Sequence, residues 1–316
     1  MKQMIVTNYK NMLVAIFFIA AIISCGDNKF KEKEVNDVET INSGKFSYVC
    51  DQSISKLISP AVEMYLEKYT KVELTDTITS ARSAMSMLFA AKHRVAIIAR
   101  DYLPDELQLM EANGMEPHQR LKAAEDALVF AVNKEFPIKF TKDSIIKSIF
   151  LDGNSFKNFY EEIDYDIDYF IKDRNSSENS NFEKLILNYK PLKKNLKIEK
   201  STSEILKKVS ESVSNIGLVY MSQVLQADTS LGIKMLPLGF VDSTGKYQRA
   251  VPVHQSYLVR GRYPYTFVWF MYMLEERQNL PYWFSKYIAQ ETKVQKYFLD
   301  QGVVPAFAKF RLIPEN

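Results

Sequence analysis

From residue 45 onward, short apolar runs alternate with amphipathic stretches. Lys45 to Cys50 (KFSYVC) reads as a strand. Behind it, Ile54, Leu57, Ile58, Val62, Met64 and Tyr65 recur at helical spacing and predict a helix from Ile54 to Tyr69, with Ser53 placed to cap it. Val72 to Leu74 is a second strand, Thr79 to Lys92 a helix rich in Ala, Met and Leu, and Arg94 to Ala99 (RVAIIA) a buried strand. Pro104 opens a helix that Gly114 closes, and Ala127 to Val132 (ALVFAV) is again a strand. Strand and helix taking turns in this way predict an α/β architecture with a largely parallel sheet.

The middle of the chain repeats the theme with more polar decoration. A helix capped by Thr141 runs to about Phe150 and breaks at Gly153; a strand follows at Tyr169 to Lys172. The polar turn 175–181 (NSSENSN) leads to a helix over Phe182 to Tyr189, Ser201 to Ser214 is helical, and Gly217 to Met221 is a strand. Pro264 to Met273 is strongly apolar, and Tyr282 to Tyr287 and Lys293 to Leu299 are helical. The cluster Tyr265, Phe267, Trp269, Phe270 and Tyr272 is read as packing in the core or between lobes, because such a run has to bury its rings.

The N-terminus carries a different signal. Lys2 and Lys10 precede an unbroken apolar run from Leu13 to Ile23, short for a membrane span and right for a signal-peptide core. Ile22-Ile23-Ser24-Cys25 then resembles a bacterial lipobox, which makes Cys25 the expected lipidation site and residues 1–25 a lipoprotein signal peptide; a plain membrane anchor is the alternative. Residues 26–44 are polar and are expected to form a flexible tether. With Cys25 lipidated, Cys50 has no disulfide partner, and its apolar flank makes it a buried thiol.

Composition adds exclusions. Of the formal charge of +3, two units belong to Lys2 and Lys10, so the remainder carries +1, too little to suggest nucleic acid. His93, His118 and His254 lack metal-ligand spacing, and no G-x-S-x-G, P-loop or G-x-G-x-x-G occurs. Neither enzyme chemistry nor a cofactor or metal is expected. The acidic run from Glu161 to Asp168 lacks the glycine and terminal glutamate of an EF-hand and reads as a solvated loop; the lysines at 190, 193, 194, 197 and 200 read as an exposed connection.

Several pieces in this order, GKFSYVCDQSISKLISPAVEMYLEKY, RVAIIARDYLPDEL, AEDALVFAVNK, DRNSSENSNF, SNIGLVY, RYPYTFVWFMYML and QKYFLDQGVVPAF, resemble phosphate ABC transporter substrate-binding proteins of the lipoprotein type found in Bacteroidetes. The resemblance implies a type II periplasmic-binding-protein fold: two α/β lobes joined by a hinge, with a ligand cleft between them. Lobe 1 would comprise residues 45–128 and 257–316, and lobe 2 residues 129–256. It implies a monomeric protein, lipid-anchored in the cell envelope of a bacterium on the periplasm-facing side or the surface, that captures inorganic phosphate or a related oxyanion and hands it to an ABC permease. The alternative is an envelope interaction or scaffold module with a lost or altered ligand site.

A tetrahedral oxyanion needs many N–H and O–H donors, which helix N-termini and arginine supply. The resemblance places Ser53 and Ile54 in the first binding loop, where Ser53 is equally a helix cap. Thr79 and Ser80 fall at the start of the second helix and read first as caps. Arg100 ends the buried strand at a lobe edge, and Asp101 and Asp126 are the candidates for a proton-accepting carboxylate. The loop Arg174-Asn175-Ser176-Ser177-Glu178 keeps the serines of the pattern but has glutamate where relatives carry threonine. A carboxylate there repels a bound oxyanion unless Arg174 neutralises it or the side chain turns outward.

Overall fold

The computed structural model describes residues 39–307; Cys25, the segment 1–25 and residues 26–38 of the expected tether lie outside the described residues. Lobe 1 begins with β1 (Ser43–Asp51), α1 (Ser55–Lys68), β2 (Lys71–Thr79), α2 (Ala81–Phe89), β3 (Val95–Ile98) and α3 (Pro104–Ala112). β1 pairs in parallel with β2 on one side and β3 on the other, so each link has to cross over through a helix. The VAII run of β3 is buried along its whole length, as a central strand covered on both faces must be.

β4 (Gln119–Asn133) joins the two lobes. Up to Ala127 it pairs antiparallel with β12 (Thr266–Met273); from Leu128 it pairs antiparallel with β8 (Asn215–Tyr220). Lobe 2 adds β6 (Asp168–Lys172), parallel to β8, and β7 (Lys197–Glu199), parallel to β6. The main path is β2-β1-β3-β12-β4-β8-β6-β7, with β9 (Ile233–Met235) and β13 (Val304–Pro305) pairing with β4; β5 (Thr141–Lys142), β10 (Leu238–Val241) and β11 (Tyr247–Gln248) form a separate small sheet, and the short α8 (Gln255–Val259) precedes β12. Lobe 2 is covered by α4 (Asp143–Asp152), by α5 (Ser177–Phe182), which runs on into a π-helical turn at Glu183–Leu187, and by α6 (Thr202–Glu211) and α7 (Met221–Leu225). Where the chain returns toward lobe 1, the Leu128 amide donates to the Tyr265 carbonyl at 2.9 Å and the Tyr263 hydroxyl to the Leu128 carbonyl at 3.1 Å.

Aromatic packing decides which lobe the C-terminal helices α9 (Leu280–Gln290) and α10 (Thr292–Asp300) join. The Phe284 ring meets Phe46, Tyr48 and Tyr65 of β1 and α1 at 5.1–5.6 Å between centroids. The cluster on β12 is buried throughout, with Trp269 edge-on to Phe298 of α10. In lobe 2, Phe150 of α4 packs against Tyr169 and Phe182 at 5.0 Å.

Several local expectations change. β1 starts at Ser43, and Glu39 is ion-paired with Arg94, so the last tether residues lie on the body. Ser53 is not the cap of α1; Ile54 holds that position, with no side-chain cap bond. Thr141 sits one residue before the cap position of α4 and instead accepts from the Tyr160 hydroxyl at 2.8 Å. β4 starts eight residues before Ala127, because the mixed sequence QRLKAAED is held by its ladder to β12. The helix expected from Phe182 starts at Ser177. Cys50 is a buried free thiol, its pKa raised by that burial.

Candidate ligand-binding site

The site lies where three turns face one another: Asp51–Ile54 after β1 in lobe 1, and in lobe 2 the turn between β6 and α5 and the junction of β8 with α7. All three follow the carboxyl ends of strands, the place where open α/β sheets receive ligands. Tight turns there leave polar side chains facing the seam between lobes. Asp51, Asp126, Lys172, Ser176, Ser177, Glu178, Asn181 and Ser222 are all buried.

Glu178 is at the centre. Its side chain is fully buried, and a buried carboxylate persists only when paired and hydrogen-bonded. Ser53 Oγ donates to Glu178 Oε2 at 2.6 Å, Gln223 Nε2 donates to Oε1 at 2.9 Å, and Lys172 Nζ stands 3.4 Å from Oε1. Lys172 also donates to Ser53 Oγ at 3.1 Å, closing a ring of contacts. Gln223 is oriented by the Tyr220 amide, which donates to its Oε1 at 2.9 Å, and it donates again to the Ser53 carbonyl at 3.0 Å. Neither way of relieving the carboxylate expected from sequence occurs. Arg174 is exposed, Glu178 turns inward, and Lys172 supplies the countercharge.

Other contacts also tie lobe to lobe. Asn181 Nδ2 donates to the Ala99 carbonyl at 2.8 Å and to the Tyr220 hydroxyl at 3.0 Å. At the start of α2 the Arg82 amide donates to the Asn175 carbonyl at 3.1 Å. Groups of lobe 2 therefore already satisfy a donor (the Arg82 amide) and an acceptor (the Ala99 carbonyl) that lobe 1 presents toward the seam.

The remaining predicted residues divide. Ser80 caps α2 through the Ser83 amide at 3.4 Å, and Ser176 caps α5 through the Asn179 amide at 3.2 Å. The Ser177 hydroxyl is buried beside Asp51 and Tyr220 but forms a regular hydrogen bond with neither. Ile54 is buried apolar packing. Arg100 is only 1% exposed, and its guanidinium forks onto Glu106 six residues on, at 2.6 and 2.7 Å, so its terminal nitrogens are committed within lobe 1. Asp101 lies at the rim, paired with Arg120. Asp126 is at the seam: Ser222 Oγ donates to its Oδ2 at 2.6 Å and the Ala127 amide to its Oδ1 at 2.7 Å. Burial outweighs these donors and pushes the Asp126 carboxyl up to about 6.

Sequence reasoning did not single out Asp51, Lys172, Gln223, Asn181 or Tyr220. Asp51 accepts from the Ser53 amide at 3.0 Å and the Ala99 amide at 3.3 Å, and burial together with neighbouring Glu178 raises its pKa. For Lys172 there was a signal: a lysine ends the apolar strand Tyr169–Ile171, six residues before an unexplained glutamate. Among the described residues no group of three His, Cys, Asp or Glu side chains could hold a metal. Outward of Glu178 a cavity of about 480 Å³ opens between the lobes, with Lys172 and Gln223 in its wall.

The sequence profile of the PBP superfamily domain matches residues 37–295. No curated protein matches the sequence. Among solved structures, the fold is similar to a putative phosphate ABC transporter substrate-binding protein with bound phosphate from Clostridium perfringens (TM-score 0.66, 15% identity, 83% of this chain and 100% of that one). It is also similar to an ABC-type phosphate transport receptor from Vibrio cholerae (0.64, 14%, 83% and 100%) and to PstS from Borrelia burgdorferi (0.55, 17%, 83% and 99%). At these identities the likeness is one of fold, the two-lobed type II periplasmic-binding architecture. Since the profile spans most of the chain, the protein belongs to the PBP superfamily.

Proposed function

We propose that the chain is the solute receptor of an ABC importer, anchored in the cell envelope through Cys25, and that it takes phosphate or a related oxyanion between its lobes. The observation that supports this reading is the convergence of Ser53 Oγ, Gln223 Nε2 and Lys172 Nζ, drawn from both lobes, on a single oxyanion. Donors that hold a buried carboxylate also suit another oxyanion, and contacts to both lobes are what a closing ligand requires. Here the oxyanion is the protein's own. Glu178 is a built-in competitor, and a solute anion enters only as that carboxylate leaves.

The test is calorimetric titration with phosphate, sulfate as control, after mild unfolding and dialysis to strip co-purified anion. Glu178→Gln keeps the shape and removes the charge, so it is expected to bind phosphate at least about tenfold more tightly than wild type, a gain of about 1.4 kcal/mol. Heat from neither protein, both folded, would reject the reading.

A second reading rests on the same carboxylate. With Glu178 in place and Asp51 behind it, the lobes close without a solute, which suits an envelope interaction module that presents a fixed closed surface. Phosphate ignored by both wild type and Glu178→Gln would favour this reading.

A further inference from the structure

We propose that the cavity outward of Glu178 is the place where this protein binds an organic phosphate, a solute with a phosphate head and an apolar body, instead of the bare inorganic anion. The inference rests on the receptor reading above, but its test separates the two.

Its volume of about 480 Å³ is that of a site for a small organic molecule and far exceeds what one inorganic anion fills. Its walls come from both lobes: Lys56 and Leu57 from the start of α1, and Lys172, Lys200, Leu206 and Leu231 from lobe 2. Lys172 is committed to Glu178. Lys56 and Lys200 are exposed, and neither has an ion-pair partner among the described residues. Asp228 is the one acid in the lining, so the two uncommitted lysines leave the wall net positive. Thr202 and Ser203, the first two residues of α6, also line it; the Ser201 hydroxyl caps the Glu204 amide there and the Glu204 carboxylate accepts from the Lys200 and Ser201 amides, so the positive charge on this side comes from the Lys200 ammonium. Two ammonium groups and the hydroxyls suit a head with several oxygens. The leucines from both lobes offer an apolar surface that inorganic phosphate cannot use. Glu178 thus closes the inner position, and the charge that recognises the solute lies one layer farther out.

Phenyl phosphate is the probe, with inorganic phosphate, phenol and benzoate as controls, titrated calorimetrically into wild type and a Lys56→Ala/Lys200→Ala double variant. Both lysines are exposed, so the variant retains the fold. Phenyl phosphate is expected to bind wild type at least about tenfold more tightly than inorganic phosphate or phenol, and the double variant is expected to lose at least about tenfold. Equal affinity for phenyl and inorganic phosphate, or no loss in the double variant, would overturn the proposal; benzoate binding as tightly as phenyl phosphate would overturn the phosphate head. If Glu178→Gln binds inorganic phosphate while phenyl phosphate fails on wild type, the inner oxyanion position stands and the outer site falls. Lysine-dependent binding of phenyl phosphate with no phosphate binding by Glu178→Gln supports the outer site and rejects the inner one.

Discussion

At the seam a single carboxylate, Glu178, is held by Ser53 and Gln223 and countercharged by Lys172. Ser53 and Glu178 stood out in the sequence because one preceded a helix and the other broke a serine-rich turn. Their direct contact at 2.6 Å spans 125 residues of chain, which no local pattern encodes. Arg100 shows the opposite failure. An arginine ending a buried strand suggests a cleft role, but Glu106 lies one helical turn into α3 and captures it, so Arg100→Ala would leave a buried carboxylate unpaired and act on stability. Asp126 gives a pH test. Its folded carboxyl titrates near 6 against 3.8 for the free group, so the folded state holds a proton that the unfolded chain releases between those values. Burying it therefore costs stability as pH rises through that window, on the order of 2–3 kcal/mol once fully ionised. Asp126→Asn removes this cost, and its melting temperature relative to wild type is expected to climb between pH 4 and pH 7. A difference that stays flat across that range would show that Asp126 is not held protonated.

At the level of elements, periodicity located nearly every helix and strand of lobe 1, because each buries an apolar face whose spacing survives in the sequence. What escaped was held by partners. The first half of β4 is too polar to read as a strand and exists through its pairing with β12, while α5 forms from a run of Ser, Glu and Asn residues buried at the seam. The packing of α6 on β8 shows how close the fit is in lobe 2. A Cβ built on Gly217 would stand 2.6 Å from Ile205 Cγ2 and 3.1 Å from Val209 Cγ2, and both of those side chains are buried with no room to move. Gly217→Ala is expected to destabilise the protein by about 1–3 kcal/mol in denaturant titration. Because α6 also walls the outer cavity, it should weaken phenyl phosphate binding as well. An unchanged denaturation midpoint would contradict this close packing of α6 on β8.

For the whole molecule, the proposed receptor reading has a consequence for closure, because side chains of lobe 2 bond directly to lobe 1 across the seam. In a binding protein of this architecture, ligand contacts to both lobes tip the balance from open to closed. Here Glu178, Asn181 and Gln223 make such contacts from lobe 2 to lobe 1. A solute can shift the equilibrium only by its differential affinity for the two states, so a protein already closed has little left to gain. Small-angle X-ray scattering tests this most directly, on wild type and Glu178→Ala, each with and without phosphate. Ligand-free wild type is expected to be compact already and unchanged by phosphate, whereas Glu178→Ala is expected to be expanded alone and to contract when phosphate is added. An expanded wild-type protein that closes only on adding the anion would contradict this, and would return Glu178 to the role of an ordinary cleft residue.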